Sequence, residues 1–274
     1  MTRVLVERGQ EADIMSAAIA SVRVKQIIRA RIVEAATDEV ERIERDDQLH
    51  AWIAEAMGIS IPRAAVCDDH DAPFAFVADL FFEREADALV LANRAGGKTE
   101  DTASLHLADA HFKPGFETSH IGAIEHQAKR CYAYYKRGLR SDVLRDQAPD
   151  PHIRETEWLN GSRIEILPGT EAQTQGGHPR RVAFDELEQG KFQPYENAKS
   201  MPVEWRDTDG IRHPGSFVAT STRQSALGLM QRALDEAEEN GTRVYVWCVL
   251  ETIDGATCRG DAGAPCARRG PRVS

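Results

Sequence analysis

The stretch LVLANRAGGKTED, Leu89 to Asp101, runs from an unbroken apolar segment into Gly-Gly-Lys-Thr. An apolar run of this kind suits a strand buried on both faces. From Lys98 onward, KTEDTASLHLADAHF has helical periodicity. Strand, glycine turn and helix in direct succession constrain the fold more than any other feature of the chain. The same alternation returns downstream. TSHIGAI, RRVAFDE, GSFVATS and TRVYVWCVL read as strands, and EHQAKRCYAYYKRGLR and SALGLMQRALDEAEEN as helices, the latter closed by Gly241. The expectation is an α/β fold whose mainly parallel central sheet is flanked by helices.

The turn itself has chemistry. In the pattern G-x-x-x-x-G-K-[ST], backbone N–H groups surround phosphate oxygens, the lysine meets the outer phosphates and the hydroxyl serves Mg²⁺. Gly97, Lys98 and Thr99 supply the second half of it. Ala92 stands where the first glycine belongs, and Asn93, Arg94, Ala95 and Gly96 form the loop. Such a tripeptide is common by chance; the strand before it and the helix after it make it a phosphate-loop (P-loop NTPase) candidate. RRVAFDE then ends an apolar run in two acids. Asp185 is placed to hold Mg²⁺ and Glu186 to polarise an attacking water, which points to hydrolysis rather than binding alone. After FVA come Thr220, Ser221 and Thr222, hydroxyls able to sense the γ-phosphate side, or simply polar residues at a strand end.

The remaining segments bound the molecule. Net charge is −10, so any contact with nucleic acid needs a local basic patch. EHQAKRCYAYYKRGLR is one, at +4, with tyrosines among the basic residues. It reads equally as a DNA-contacting helix or an ordinary surface helix. Residues 11–45 have apolar positions four apart at Ile14, Ala18 and Val22, and again from Ile28 through Ile32 and Ala36 to Val40, and read as a long helix. DDQLHAWIAEAM follows as a second helix with an Asp pair able to cap it. ETEWLNGSRIEIL reads as a hairpin turning at Asn160-Gly161 in a two-residue loop. The domains expected are a helical arm and connector over 1–70, a P-loop domain over 71–253 and a flexible tail over 254–274. The five cysteines include no C-x-x-C pair; Cys248, Cys258 and Cys266 cluster towards the C-terminus, where a metal or Fe–S site is conceivable, but their spacing matches no ligand pattern and reduced, inert thiols are expected. No run resembles a signal peptide or a membrane span, and the expectation is a soluble intracellular protein without membrane partners.

The ordered set LANRAGGKT, RRVAFDE and VATSTR resembles the ATPase domain of phage large terminase subunits, the motors that package viral DNA. The resemblance covers roughly residues 70–250. It implies ATP and Mg²⁺ as cofactors and assigns roles residue by residue. Arg94 matches the arginine inside a phosphate loop that begins without glycine. Lys98 and Thr99 match the lysine and hydroxyl, Asp185 and Glu186 the metal-holding acid and catalytic glutamate, and Thr220 to Thr222 the coupling motif. DAPFAFVADLFF lies where the family places its adenine segment, so Phe74 is a candidate to stack on the base; Phe74, Phe81 and Phe82 read equally as the aromatic face of a core helix. Double-stranded DNA, a portal protein, a small terminase subunit and a homo-oligomeric ring are the implied partners, and the host cytoplasm the implied compartment. The family's nuclease domain has no counterpart in the residues after 250, so no nuclease activity is expected of this chain. A helicase-like translocase and a nucleotide-binding assembly remnant are the other classes left open.

Overall fold

The computed structural model describes residues 42–253, apart from 149–150, 153, 175–176 and 208. The helix expected over 11–45 lies outside the described residues but for its last four, which are not helical. The tail from Asp254, with Cys258 and Cys266, lies outside them entirely.

Helix α1 (Asp46–Met57) and helix α2 (Pro73–Phe81) precede strand β1 (Ala88–Ala92), helix α3 (Lys98–Phe112), strand β2 (Glu117–Gly122) and helix α4 (Glu125–Gly138). Strands β3 (Glu155–Glu157), β4 (Arg163–Pro168) and β5 (Arg181–Asp185) come next, then helix α5 (Phe192–Lys199). The two-residue strands β6 (Trp205–Arg206) and β7 (Arg212–His213) form a separate hairpin. Strand β8 (Ser216–Ser221), helix α6 (Leu229–Asn240) and strand β9 (Arg243–Trp247) complete the set. Seven strands join one sheet in the order β3-β4-β2-β5-β8-β1-β9, every pairing parallel except β3 with β4.

The sheet is covered on both faces, which is why its central strands lack polar alternation. Ala88, Val90 and Ala92 of β1 pack with residues of α1 to α4, while Leu89 packs with α5 and α6. Val182 and Phe184 of β5 face the second layer and Ala183 the first. The period of two is intact; both faces simply demand apolar side chains. Leu49 and Ile53 of α1 belong to the same core as the sheet, so this helix packs on the domain rather than standing apart.

Three local expectations change. Asp46 and Asp47 occupy the first turn of α1 instead of capping it; Gln48 Oε1 accepts from the N–H groups of Glu44 and Arg45, both at 3.0 Å. The hairpin loop has three residues, not two: Gly161 N donates to Trp158 O (3.0 Å), Trp158 N donates to Ser162 O (2.9 Å), and Gly161 takes φ +83°. Asn160 turns inward and donates to the carbonyls of Ala110 and His111 at the end of α3, at 2.7 and 3.2 Å. Helix α5 and the β6–β7 hairpin have no forerunner among the sequence expectations. No helix among the described residues is long and apolar enough to cross a membrane.

Candidate active site

The loop after β1 is held by backbone geometry and by one indole. Ala95 (φ +59°) and Gly97 (φ +79°) both take the left-handed conformation, which in an alanine costs about 1 kcal/mol. Gly96 is required for a different reason. A Cβ there would sit 2.9 Å from Asn93 O and 3.2 Å from Trp247 Nε1. That indole donates to Gly96 O at 2.7 Å, so the end of β9 braces the loop. Lys98 is 5% exposed, and its ammonium donates to Asn93 O (3.1 Å) and Ala92 O (3.3 Å). Burial draws its pKa down, and the carboxylates of Glu186, Asp185 and Asp101 resist that shift.

Asp185 closes β5, and β5 is not the neighbour of β1. Strand β8 lies between them, with Thr220 in register with Asp185 on one side and Val90 on the other. Three donors converge on the buried Asp185 carboxylate. Thr99 Oγ1 donates to Oδ2 at 2.7 Å, Thr220 Oγ1 to Oδ1 at 2.6 Å, and Glu186 N to Oδ1 at 3.0 Å. The hydroxyl that follows the Gly-Gly-Lys turn and the acid, 86 residues apart, therefore meet. Behind them His120 Nε2 lies 3.9 Å from Asp185 Oδ2; burial lowers its pKa against the pull of Asp185. Glu186 has a left-handed backbone (φ +55°). Its carboxyl is raised by burial, with Lys98 opposing.

A cleft of about 730 Å³ opens over this group, lined by Arg94 to Thr99, Asp185 and Glu186, and by the unforeseen Gln127, Arg130, Tyr134 and Gln189. Arg130 belongs to the basic helix, which thus reaches the cleft. Asn93 contributes its carbonyl, to Gly96 N and Lys98. Of the three hydroxyls at the end of β8 and just beyond it, Thr220 is the one that touches the acid among the described residues. Ser221 Oγ accepts from Glu188 N at 2.9 Å, and Thr222 Oγ1 accepts from Gln224 Nε2 at 3.4 Å. Glu188, missed in the sequence, accepts from the N–H groups of Gln224, Ser225 and Met230 at 3.2, 2.9 and 3.0 Å. Phe74 does not line the cleft. It is 4% exposed and packs edge-on against His50, 4.9 Å between ring centres, so the core-helix alternative accounts for it. The tyrosines of α4 divide similarly. Tyr135 is buried with its hydroxyl 2.5 Å from His106 Nδ1, and Tyr132 OH donates to Pro151 O at 3.0 Å. Lys136 and Arg140 are exposed, while Arg137 pairs with Glu100.

No family model and no curated protein matches the sequence. Solved structures do match. The large terminase of bacteriophage HK97 superposes on 75% of this chain at a TM-score of 0.56 and 14% identity. The fold is that of a phage large terminase. This chain spans 44% of the HK97 terminase's length, so it corresponds to part of that protein. A large terminase from a thermophilic bacteriophage matches 63% of the chain and 44% of its own, at 12% identity and a TM-score of 0.46. The large terminase ATPase domain of Thermus phage P74-26 matches 65% of the chain and 71% of its own, at 13% and 0.44. These two weaker likenesses add nothing to the first. Within the terminase fold of this chain, the loop, the acid pair and Thr220 gather at one end of the sheet, the carboxyl ends of β1, β5 and β8, where open α/β sheets place ligand crevices.

Proposed function

We propose that this chain hydrolyses ATP with Mg²⁺ and uses the energy to drive double-stranded DNA through a packaging motor. The observation that carries the proposal is the bond from Thr99 Oγ1 to Asp185 Oδ2, 2.7 Å long. A hydroxyl and a carboxylate at that separation can take adjacent positions on one hard cation, and neither is hydrogen-bonded to a competing basic side chain among the described residues. Bound there, Mg²⁺ supplies neutralising charge for the phosphate oxygens.

The chain's own residues do the rest. The N–H groups of residues 95–98, at the start of α3, face anionic oxygens with the helix dipole behind them. Lys98 gives up its loop carbonyls for the outer phosphates. Arg94, exposed at the rim of the cleft, counters charge that develops on the transferred group. Glu186 orients the water and takes its proton as the bond from phosphorus to the bridging oxygen breaks, leaving ADP and phosphate. A carboxyl raised by burial is a better proton acceptor than a solvated one. Thr220 and Ser221 link the acid to the segment beyond β8, the route by which loss of phosphate would move other parts.

DNA translocation rests on the likeness of fold and on the exposed basic residues Lys129, Lys136 and Arg140. In that setting a ring of copies acts with a portal protein and a small terminase subunit, in the cytoplasm of the infected cell. The decisive experiment measures ATP turnover and nucleotide binding on the full chain. Lys98→Ala should lose both turnover and tight binding. Glu186→Gln should keep binding and lose turnover by about 10²-fold or more. Turnover preserved in Glu186→Gln would remove the assigned base, and a wild type that binds without turning over would leave only an assembly role.

A further inference from the structure

Two turns from opposite ends of the described chain meet. One is the connector before α2, where His70 N donates to Cys67 O at 3.0 Å. The other follows β9, where Glu251 N donates to Cys248 O at 3.2 Å. Each turn presents two side chains three residues apart in sequence, Cys-x-x-His and Cys-x-x-Glu. Together they bring two sulfurs, an imidazole nitrogen and a carboxylate oxygen to within 4.8 Å of one another, all buried. The group is closed off: Cys67 is 4% exposed, His70 8%, Cys248 1% and Glu251 2%.

We propose that Cys67, His70, Cys248 and Glu251 bind a structural zinc ion. Four features argue for it. The donors number four and are shut away from solvent, as in closed structural sites. Two sulfurs with one nitrogen and one oxygen suit zinc better than calcium or magnesium, which prefer oxygen alone. A tetrahedral zinc needs ligand atoms about 3.3 to 3.8 Å apart, a contraction of about 1 Å from the widest separation here. And the donors already face one another: His70 Nδ1 lies 2.8 Å from Glu251 Oε1, a spacing that a shared cation would open slightly. The backbone N–H groups of Cys67 and Cys248 donate to Glu251 at 3.2 and 2.9 Å, fixing both turns around it.

The site reverses the expectation of inert thiols, and it pairs Cys248 with Cys67 rather than with the later cysteines. It is independent of the ATPase proposal. Its effect would be to staple the connector to the end of β9, one residue from the Trp247 indole that holds Gly96.

The test is metal analysis of the full chain, purified with a non-chelating reductant from cells supplied with zinc. About one zinc per chain is expected, displaced stoichiometrically when a mercurial blocks the thiols and read with a chromophoric chelator. Cobalt substitution should give the absorption of a tetrahedral thiolate-bound ion. The Cys67→Ser/Cys248→Ser variant should lose the zinc, while Cys131→Ser, a buried thiol outside the cluster, should keep it. Stripping the metal should lower the melting temperature of the wild type by several degrees. Wild type without stoichiometric metal under these conditions, or isolated with Cys67 and Cys248 joined as a disulfide, would overturn the proposal. So would undiminished zinc in the double variant. Because mercurial release and cobalt spectra use the wild type, the proposal stays testable even if the variant fails to fold.

Discussion

Strand β5 is five residues long and begins and ends with a buried charge, and the two ends are built for opposite purposes. At its start, Arg181 is fully buried and saturated. It pairs with Asp109, donates to Ser216 Oγ (3.1 Å) and Leu80 O (2.7 Å), and lies over the Phe116 ring at 5.4 Å. Charge is matched by opposite charge, and α2, α3, β5 and β8 are tied together. At its end, Asp185 takes only hydroxyls and a backbone N–H, with no cation hydrogen-bonded to it among the described residues. Its nearest basic group is an imidazole whose burial favours the neutral form. The first end is complete in itself; the second is an anion held ready by neutral donors. Left-handed backbone outside glycine occurs at both ends: Ala95 and Glu186 near Asp185, and Glu83, whose carboxylate lies 3.4 Å from Arg181, at the other.

Four experiments would break or sharpen this contrast. The largest effect is expected at the start of the strand. Arg181→Ala leaves the buried Asp109 with Lys113, 2.8 Å away, as its remaining cationic partner and should destabilise the fold by about 3 kcal/mol, read as a lower urea midpoint. Arg181→Met should be milder, and a neutral result for Arg181→Ala would mean the cluster is not a structural hub. Second, Asp185→Asn should cut ATP turnover by about 10²-fold, roughly 2.7 kcal/mol, while shifting the urea midpoint far less than Arg181→Ala. Equal destabilisation by the two would erase the distinction. Third, Thr220→Val keeps the shape of β8 but removes one donor from the acid. A drop in turnover of about tenfold with unchanged nucleotide affinity is expected, and unaltered kinetics would make Thr220 a passive neighbour.

The smallest effect is a pH slope. His106 and His120 are buried with lowered pKa values, burial being the main cause. The unfolded chain takes up protons near pH 6.5 while the folded one does not. Their contribution is therefore full above about 6.5 and is lost as pH falls towards the folded values, by about 1.4 kcal/mol per pH unit for each histidine. Urea midpoints from about pH 7.5 to about pH 5 should fall accordingly, and the fall should flatten in His106→Gln/His120→Gln. A flat wild-type profile would mean that neither ring is held neutral.

The sequence was legible where one local rule sufficed. Apolar runs marked β1, β5, β8 and β9, because burial on both faces leaves no alternative composition. Helix α3 begins at Lys98, where the glycine pair ends, and Gly241 closes α6 with φ +72°. What could not be read is what depends on who stands next to whom. Thr220 touches Asp185 because β8, later in sequence, inserts between β5 and β1; no run of residues states that order. The gathering of Cys67 with Glu251 joins positions 184 apart. Phe74 has the composition of a stacking residue and the surroundings of a core one. Helix α5, eight residues with a proline inside, gave too little periodicity to register.

One carboxylate, that of Glu188, makes the turn after β5 and the entry to α6 a single piece. It collects the N–H groups of Gln224, Ser225 and Met230, and Gly228 passes so close that any Cβ would collide with it. The turn that begins with Glu186 and the first turn of α6 consequently share one mooring. A small swing of that turn has no slack in which to die away; a twelve-residue helix is towed along with it.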